Sequence, residues 1–159
     1  MKKILTSLLV VLLALALVGC SKANDGVAAD TNTTEGKLAE ILKEELKNSD
    51  DLLTVVNNML DKQDAVPYML MAMECEEGWL NGFDGDVTGF SKAVVFSPAI
   101  AQPFIGYVFE TDNKEDLKKA LDAQANLRWN ICTEADYKAI VDLDDTHIFF
   151  LMTPNNFDE

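Results

Sequence analysis

Ser91-Lys92-Ala93-Val94-Val95-Phe96-Ser97 and Phe104-Ile105-Gly106-Tyr107-Val108-Phe109-Glu110 are two segments dense in β-branched and aromatic side chains. Residues of this type fill a pleated surface well and lose χ1 freedom in a helix, so both segments predict strands. Between them lies Pro98-Ala99-Ile100-Ala101-Gln102-Pro103. Two prolines fix the backbone there, which places a loop at the sheet end and makes the two strands antiparallel neighbours.

Working outward, Thr111-Asp112-Asn113 opens the clearest helix. Leu117, Ala120, Leu121, Gln124 and Leu127 recur at helical spacing on its inner side, and the pattern carries it to about Asn130. Ala139–Leu143 and His147–Thr153 read as a last hairpin, closed by Asp144-Asp145-Thr146. Upstream, Lys37 to Asn48 carries Leu38, Ile41, Leu42 and Leu46 as one apolar stripe. Asn32 and Glu35 resemble a capping box, weakened by Gly36. Ser49-Asp50-Asp51 predicts the start of a second helix lined by Leu53, Val56 and Leu60, with Leu52, Val55 and Met59 beside them. The run Val66–Met73 has strand length, and Glu76–Gly89 is rich in glycine and turns. Helices, strands and a crossing helix in this order predict an α+β domain over residues 37–159. Its N-terminal helices and central amphipathic helix are expected on one face of a mainly antiparallel sheet.

The charge balance narrows the function. Twenty-seven acidic residues face 13 basic ones, for a net charge of −14. Nucleic acid binding needs a basic patch, so no nucleic-acid partner is expected. Electrostatic docking on anionic lipid is disfavoured for the same reason. Three Cys and one His leave little room for a zinc site, and no cofactor is expected.

The N-terminus carries a different kind of signal. Lys2 and Lys3 precede an almost wholly apolar run, Ile4 to Val18, which is short for a spanning helix that needs roughly 20 residues. It ends in Leu17-Val18-Gly19-Cys20-Ser21. This resembles the lipobox of bacterial lipoproteins: small residues fit the peptidase cleft, and the Cys thiol accepts a diacylglyceryl group. Residues 1–19 are accordingly expected to be a signal peptide and Cys20 the lipidated N-terminus, since two or more acyl chains anchor stably where one does not. Ser21 to Gly36 (SKANDGVAADTNTTEG) is small and polar and reads, with Cys20, as a flexible tether.

Several candidates for chemistry can be weighed on spacing. Asp84-Gly85-Asp86-Val87-Thr88-Gly89 begins like a calcium loop, but Lys92 and Val95 stand where the ninth and twelfth ligand positions would fall. A solvated turn is the simpler reading. His147 follows Asp144 and Asp145, and a hydrolytic site would need Ser91 or Ser97 folded against it. No nucleophile motif supports this. Cys75 and Cys132 either form a disulfide outside the membrane or remain free thiols. Arg128 and Trp129 are residue types that dominate interfaces, although at a helix end a Trp more often fills the core and an Arg faces the dipole. Ile100 either folds back to cap the core or meets a partner as the tip of a stiff, uncharged loop.

The stretch from Gly78-Trp79-Leu80-Asn81-Gly82-Phe83 through residues 88–110 to Asn126-Leu127-Arg128-Trp129-Asn130-Ile131-Cys132 resembles small, uncharacterised lipoproteins of Gram-positive anaerobes. The resemblance implies an α+β fold, an outer-face location and no assigned activity, and it supplies no catalytic residues. The expected function is that of a membrane-anchored extracytoplasmic lipoprotein with a non-catalytic role in binding or envelope interaction. Its partners would be the membrane, through Cys20, and an envelope protein. The alternatives are a small-ligand or metal-binding accessory to a transporter and a surface hydrolase. Replacing Cys20→Ala is expected to move the protein from the membrane to the soluble fraction, as read by fractionation and blotting. A variant that stays with membranes would place the anchor elsewhere.

Overall fold

The computed structural model describes residues 30–157; the signal segment, Cys20 and the first part of the tether lie outside the described residues. No helix among the described residues is long and apolar enough to cross a membrane. Two helices, α1 (Thr34–Glu45) and α2 (Leu52–Lys62), precede an edge strand, β1 (Leu70–Cys75). A two-stranded ribbon follows, β2 (Gly78–Trp79) with β3 (Asp86–Val87), inside the glycine-rich stretch. Then come β4 (Lys92–Pro98), β5 (Ile105–Glu110), α3 (Lys114–Gln124), β6 (Tyr137–Asp142) and β7 (His147–Thr153). The main sheet has the order β1-β4-β5-β7-β6 and every pairing is antiparallel. The architecture is α+β, and the β4–β5 and β6–β7 hairpins pair as the turn chemistry of the sequence requires.

The helices do not share one face, contrary to the expectation. Val94 and Phe96 of β4, Val108 of β5, and Phe149 and Leu151 of β7 pack with Leu38 and Leu42 of α1 and Val55, Val56 and Met59 of α2. Their sequence neighbours Ala93, Tyr107, Phe109, Ile148 and Phe150 pack on the other side, with Leu117 and Leu121 of α3 and with Leu80 and Phe83. Successive strand residues point to opposite faces, so a strand apolar at every position must be covered twice. Ile105–Phe109 and Ile148–Met152 are such strands, buried throughout.

Local contacts explain where elements begin and end. Thr33 caps α1 by accepting from the Gly36 amide, so the helix starts inside the segment read as tether. Gly36 is required there: a Cβ would lie 1.9 Å from the Asp30 carbonyl oxygen. Asp51 caps α2 through the Thr54 amide, which separates the two helices, and the buried face of α2 is Leu52, Val55, Val56 and Met59. Val66 is withdrawn from β1 because the Gln63 carboxamide bonds both its N–H and its carbonyl. Pro67 has no donor to offer a ladder, and β1 begins only at Leu70, opposite Pro98. Helix α3 stops at Gln124, short of Asn130. There the chain is drawn to the 82–84 loop, where Asp84 N–H donates to the Gln124 carbonyl and Asn126 N–H to the Gly82 carbonyl.

Gly106 on β5 makes room for its cross-strand partner Phe96, whose ring would lie 2.3 Å from a Cβ at that position. The ring thereby reaches across β5 to stack on Phe149 at 6.0 Å between centroids. Truncating so buried an aromatic typically costs about 3–5 kcal/mol.

Glu45 is the one charged residue buried among the described residues. At the end of α1 it accepts from the Asn58 amide at 2.9 Å and from the Lys62 ammonium, both on α2. The hydrogen bonds from Lys62 and Asn58 hold its carboxyl below the ordinary value of 4.5, against the opposing effect of desolvation. A depressed folded pKa adds stability above the unfolded value and loses it as pH falls through the folded one. Wild type should therefore exceed Glu45→Gln in melting temperature at neutral pH. The gap should close as the pH is lowered from 4.5 through the depressed value, read by circular dichroism melts across that range.

Candidate functional site

The loop between β4 and β5 and the segment after α3 form the two walls of an open groove of about 410 Å³. Asparagines build it. Past the end of α3, the Asn126 side chain donates to Asp84 at 2.7 Å and accepts from the Arg128 amide at 2.9 Å. Asn126 also accepts the Trp129 N–H on its carbonyl at 3.1 Å. These bonds give the segment a turn that local Asn chemistry favours. Asn130 then spans the groove by donating to the Gln102 carbonyl at 3.3 Å. On the floor side, Tyr107 donates to the Asn81 carbonyl at 2.7 Å, and burial pushes its phenol well above the usual range.

Ile100 and Trp129, distant in sequence, line this groove together with Ile131 and Cys132. Trp129 is half-buried, packed on the α3-side core while still forming part of the groove lining. Ile100 is 64% exposed, so of its two readings the core cap is the one the structure does not support. Ile131 is fully exposed. Arg128 is not among the lining residues. It lies beyond the helix end, exposed, and pairs with Glu134 at 3.3 Å, so it faces no helix dipole. The composition of the groove is its distinguishing property. No Asp, Glu, Lys or Arg lines it, in a chain with 27 acids. A larger depression of about 520 Å³ lies over α1 and Lys62, and its lining is chiefly Glu and Lys. That lining has the character of a solvated helix surface.

The groove sits at a particular end of the sheet. Pro98 ends β4, Ile105 begins β5, and Tyr137 begins β6 at the same end, where its hydroxyl meets Glu35 in the first turn of α1 at 2.9 Å. The chain therefore enters the domain at the end that carries the groove.

The other candidates resolve differently. Asp144 accepts the backbone N–H of Thr146 and of His147 at 2.8 Å each, and meets the imidazole Nδ1 at 2.9 Å. Burial raises the Asp144 carboxyl, but the bonds from Thr146 and His147 outweigh it and the net shift is downward. The pair closes the β6–β7 turn. Ser91 donates its hydroxyl to the Glu110 carbonyl, and Ser97 lies at the far end of β4, so neither serine forms a bond with His147. In the glycine-rich loop Asp84 is held by Asn126, and Glu77 receives the Gly89 and Phe90 amides. Among the described residues no three His, Cys, Asp or Glu side chains gather around a common point.

Cys75 and Cys132 are both free, which corrects the disulfide reading. Cys75 is opposite Ala93 at one end of β4, while Cys132 lines the groove with Pro98 at the other. The five intervening strand steps put roughly 17 Å between those ends. A disulfide tolerates no more than about 7 Å between Cα atoms. Comparison with known protein families, curated proteins and solved structures gives no match.

Two outcomes follow for this region. Burial raises the Cys75 thiol from 9.0 to about 11, whereas Cys132 is exposed. Thiol alkylation of the folded protein near pH 8 should modify the exposed Cys132 well before Cys75, by peptide mass analysis. Ile100→Asp should change unfolding free energy by no more than about 0.5 kcal/mol in a urea titration. A loss of about 2 kcal/mol or more would return Ile100 to the core.

Proposed function

We propose that this chain is a lipoprotein, anchored through Cys20 on the outer face of the cytoplasmic membrane, and that its uncharged groove receives an apolar segment of an envelope protein. The observation that carries the reading is that groove. Ile100, Ile131 and the edge of Trp129 line a cleft free of charge on a strongly acidic molecule. Apolar surface rimmed by polar groups is the signature of a contact site, and a half-buried Trp is a common anchor within one. The Pro98–Pro103 loop is stiff, so docking on it orders little additional chain. The position of the groove supports a partner near the membrane. Ten residue steps lead from Cys20 to Asp30, a span of at most about 36 Å when extended, and the chain enters the domain at the groove's end.

The role is non-catalytic in this reading. Asp144 and His147 act as a turn closure, and among the described residues no hydroxyl other than that of Thr146, in the same turn, is hydrogen-bonded to the imidazole. The alternative of a small-ligand accessory to a transporter draws on the size of the groove, which falls within the range of small-molecule sites.

Site-specific photo-crosslinking in cells tests the proposal. A photoreactive residue at position 100 should give a discrete protein adduct, and one at Glu40 on α1 should not. Ile131→Asp should remove the adduct without changing the melting temperature. Adducts of equal yield from both positions, or an adduct that survives Ile131→Asp, would overturn it.

A further inference from the structure

Met69, Met71, Met73 and Cys75 occupy alternate positions on and just before β1, so they project from one face of the sheet. The register identifies that face. Met71, Met73 and Cys75 stand opposite Ser97, Val95 and Ala93, the row on the α3 side. Helix α3 packs over β7, and Leu80 and Phe83 cover the middle of the sheet, while β1 is the outermost strand. The methionines there are 86%, 55% and 63% exposed, whereas Met59 and Met152 are fully buried. On the opposite face of the same strand Leu70 and Ala72 pack on the α1–α2 core. The strand thus turns its hydrocarbon side chains, Leu70 and Ala72, partly into the core and three thioethers to water. Burial alone would favour the reverse for a residue that usually fills core gaps.

What the exposed positions share is sulfur. Thioethers are neutral, polarisable donors that prefer Cu(I) among biological ions, and a thiol on the same row is a still better ligand once deprotonated. We propose that the sulfur row of β1 is a binding site for a soft monovalent metal ion, Cu(I) by chemical class, with Met73 as the shared ligand and Met71 or Cys75 as the second. Strand geometry sets the number of ligands. Same-face neighbours recur every ~6.8 Å, so two adjacent side chains can lean onto one ion, but Met71 and Cys75, ~13 Å apart, cannot join on it. Met73 is the position with a thioether on one side and a thiol on the other. Binding through Met71 and Met73 uses sulfur lone pairs and moves no proton. Binding through Cys75 breaks its S–H bond and releases the proton to solvent as the sulfur–metal bond forms. The ion keeps its charge, and no oxidant or reductant is involved.

The surroundings favour a cation. No Lys or Arg occurs between Lys62 and Lys92, whereas Glu74, Glu76 and Glu77 are exposed at and just after the end of β1, with Glu74 on the opposite face from the row, so the local charge is negative. The site requires neither the groove nor the lipid, so its failure leaves the crosslinking result untouched.

The test uses the full chain in detergent, carrying Cys132→Ser to remove the exposed competing thiol, with ¹³C-labelled methionine methyls. Ag(I) in chloride-free buffer is the air-stable probe, followed by Cu(I) under anaerobic conditions. The Met73 methyl signal should shift and saturate, with that of Met71 moving alongside it where Met71 is the second ligand and Met73 moving alone where Cys75 is, while those of Met59 and Met152 stay in place. Met73→Leu, a volume-conserving change, should weaken binding of the ion by about tenfold or more without lowering the melting temperature. Unmoved Met71 and Met73 signals at excess ion would overturn the proposal and leave the row as an apolar contact face. Equal affinity in Met73→Leu would overturn it as well.

Discussion

Val108 and Phe109 are neighbours on β5, and both are removed from water, which obliges the sheet to be covered from both sides. Most other features follow from that requirement. One cover is the α1–α2 pair, which meets Val94, Phe96, Phe149 and Leu151. The second is assembled from α3 and the 80–83 loop, because one eleven-residue helix is too small to span five strands. Gly106 belongs to the same solution. Without it the Phe96 ring could not lie across β5 to reach Phe149. The second cover is also incomplete, and its shortfall lies over β1. The exposed methionine row is therefore a consequence of where α3 is placed.

Strand identity was legible in the sequence wherever side-chain type alone decides it. β4, β5 and β7 appear within one residue of where their β-branched and aromatic content puts them. The fully apolar character of Ile105–Phe109 also contained the information that two covers were needed, although the order of elements was read as placing all the helices on one face. Boundaries set by tertiary hydrogen bonds were not legible. Nothing local announces that Gln63 will bind the Val66 peptide, or that Gly82 and Asp84 will pull residues 124–126 out of a helix whose periodicity continues to Leu127. Glu45 belongs to the same class: its burial depends on Asn58 and Lys62 arriving from another helix.

The candidate groove was half visible. Ile100 stood out as an uncharged loop tip and Trp129 as an interface type, but only the early end of α3 turns Trp129 toward Ile100. Asn126 and Asn130, which position that wall, gave no signal beyond being turn formers. Their roles depend on Asp84 and Gln102, each more than 25 residues away in the chain. The acidic composition, by contrast, was informative by its local absence. No charged side chain lines the groove, although the chain as a whole is strongly acidic.

The Glu35–Tyr137 and Glu45–Lys62 contacts would also decide how the domain yields to a pull applied at Asp30. Tension arriving along the chain at Asp30 is delivered to α1 and not to a strand. That helix is fastened to β6 at its start and to α2 at its end, so pulling would peel it from the sheet one contact at a time. The hydrogen bonds of β4, β5 and β7, each flanked by strands on both sides, lie outside this path. Under strain the domain would shed its helical cover first and keep the sheet intact, and α1 would serve as the weak link.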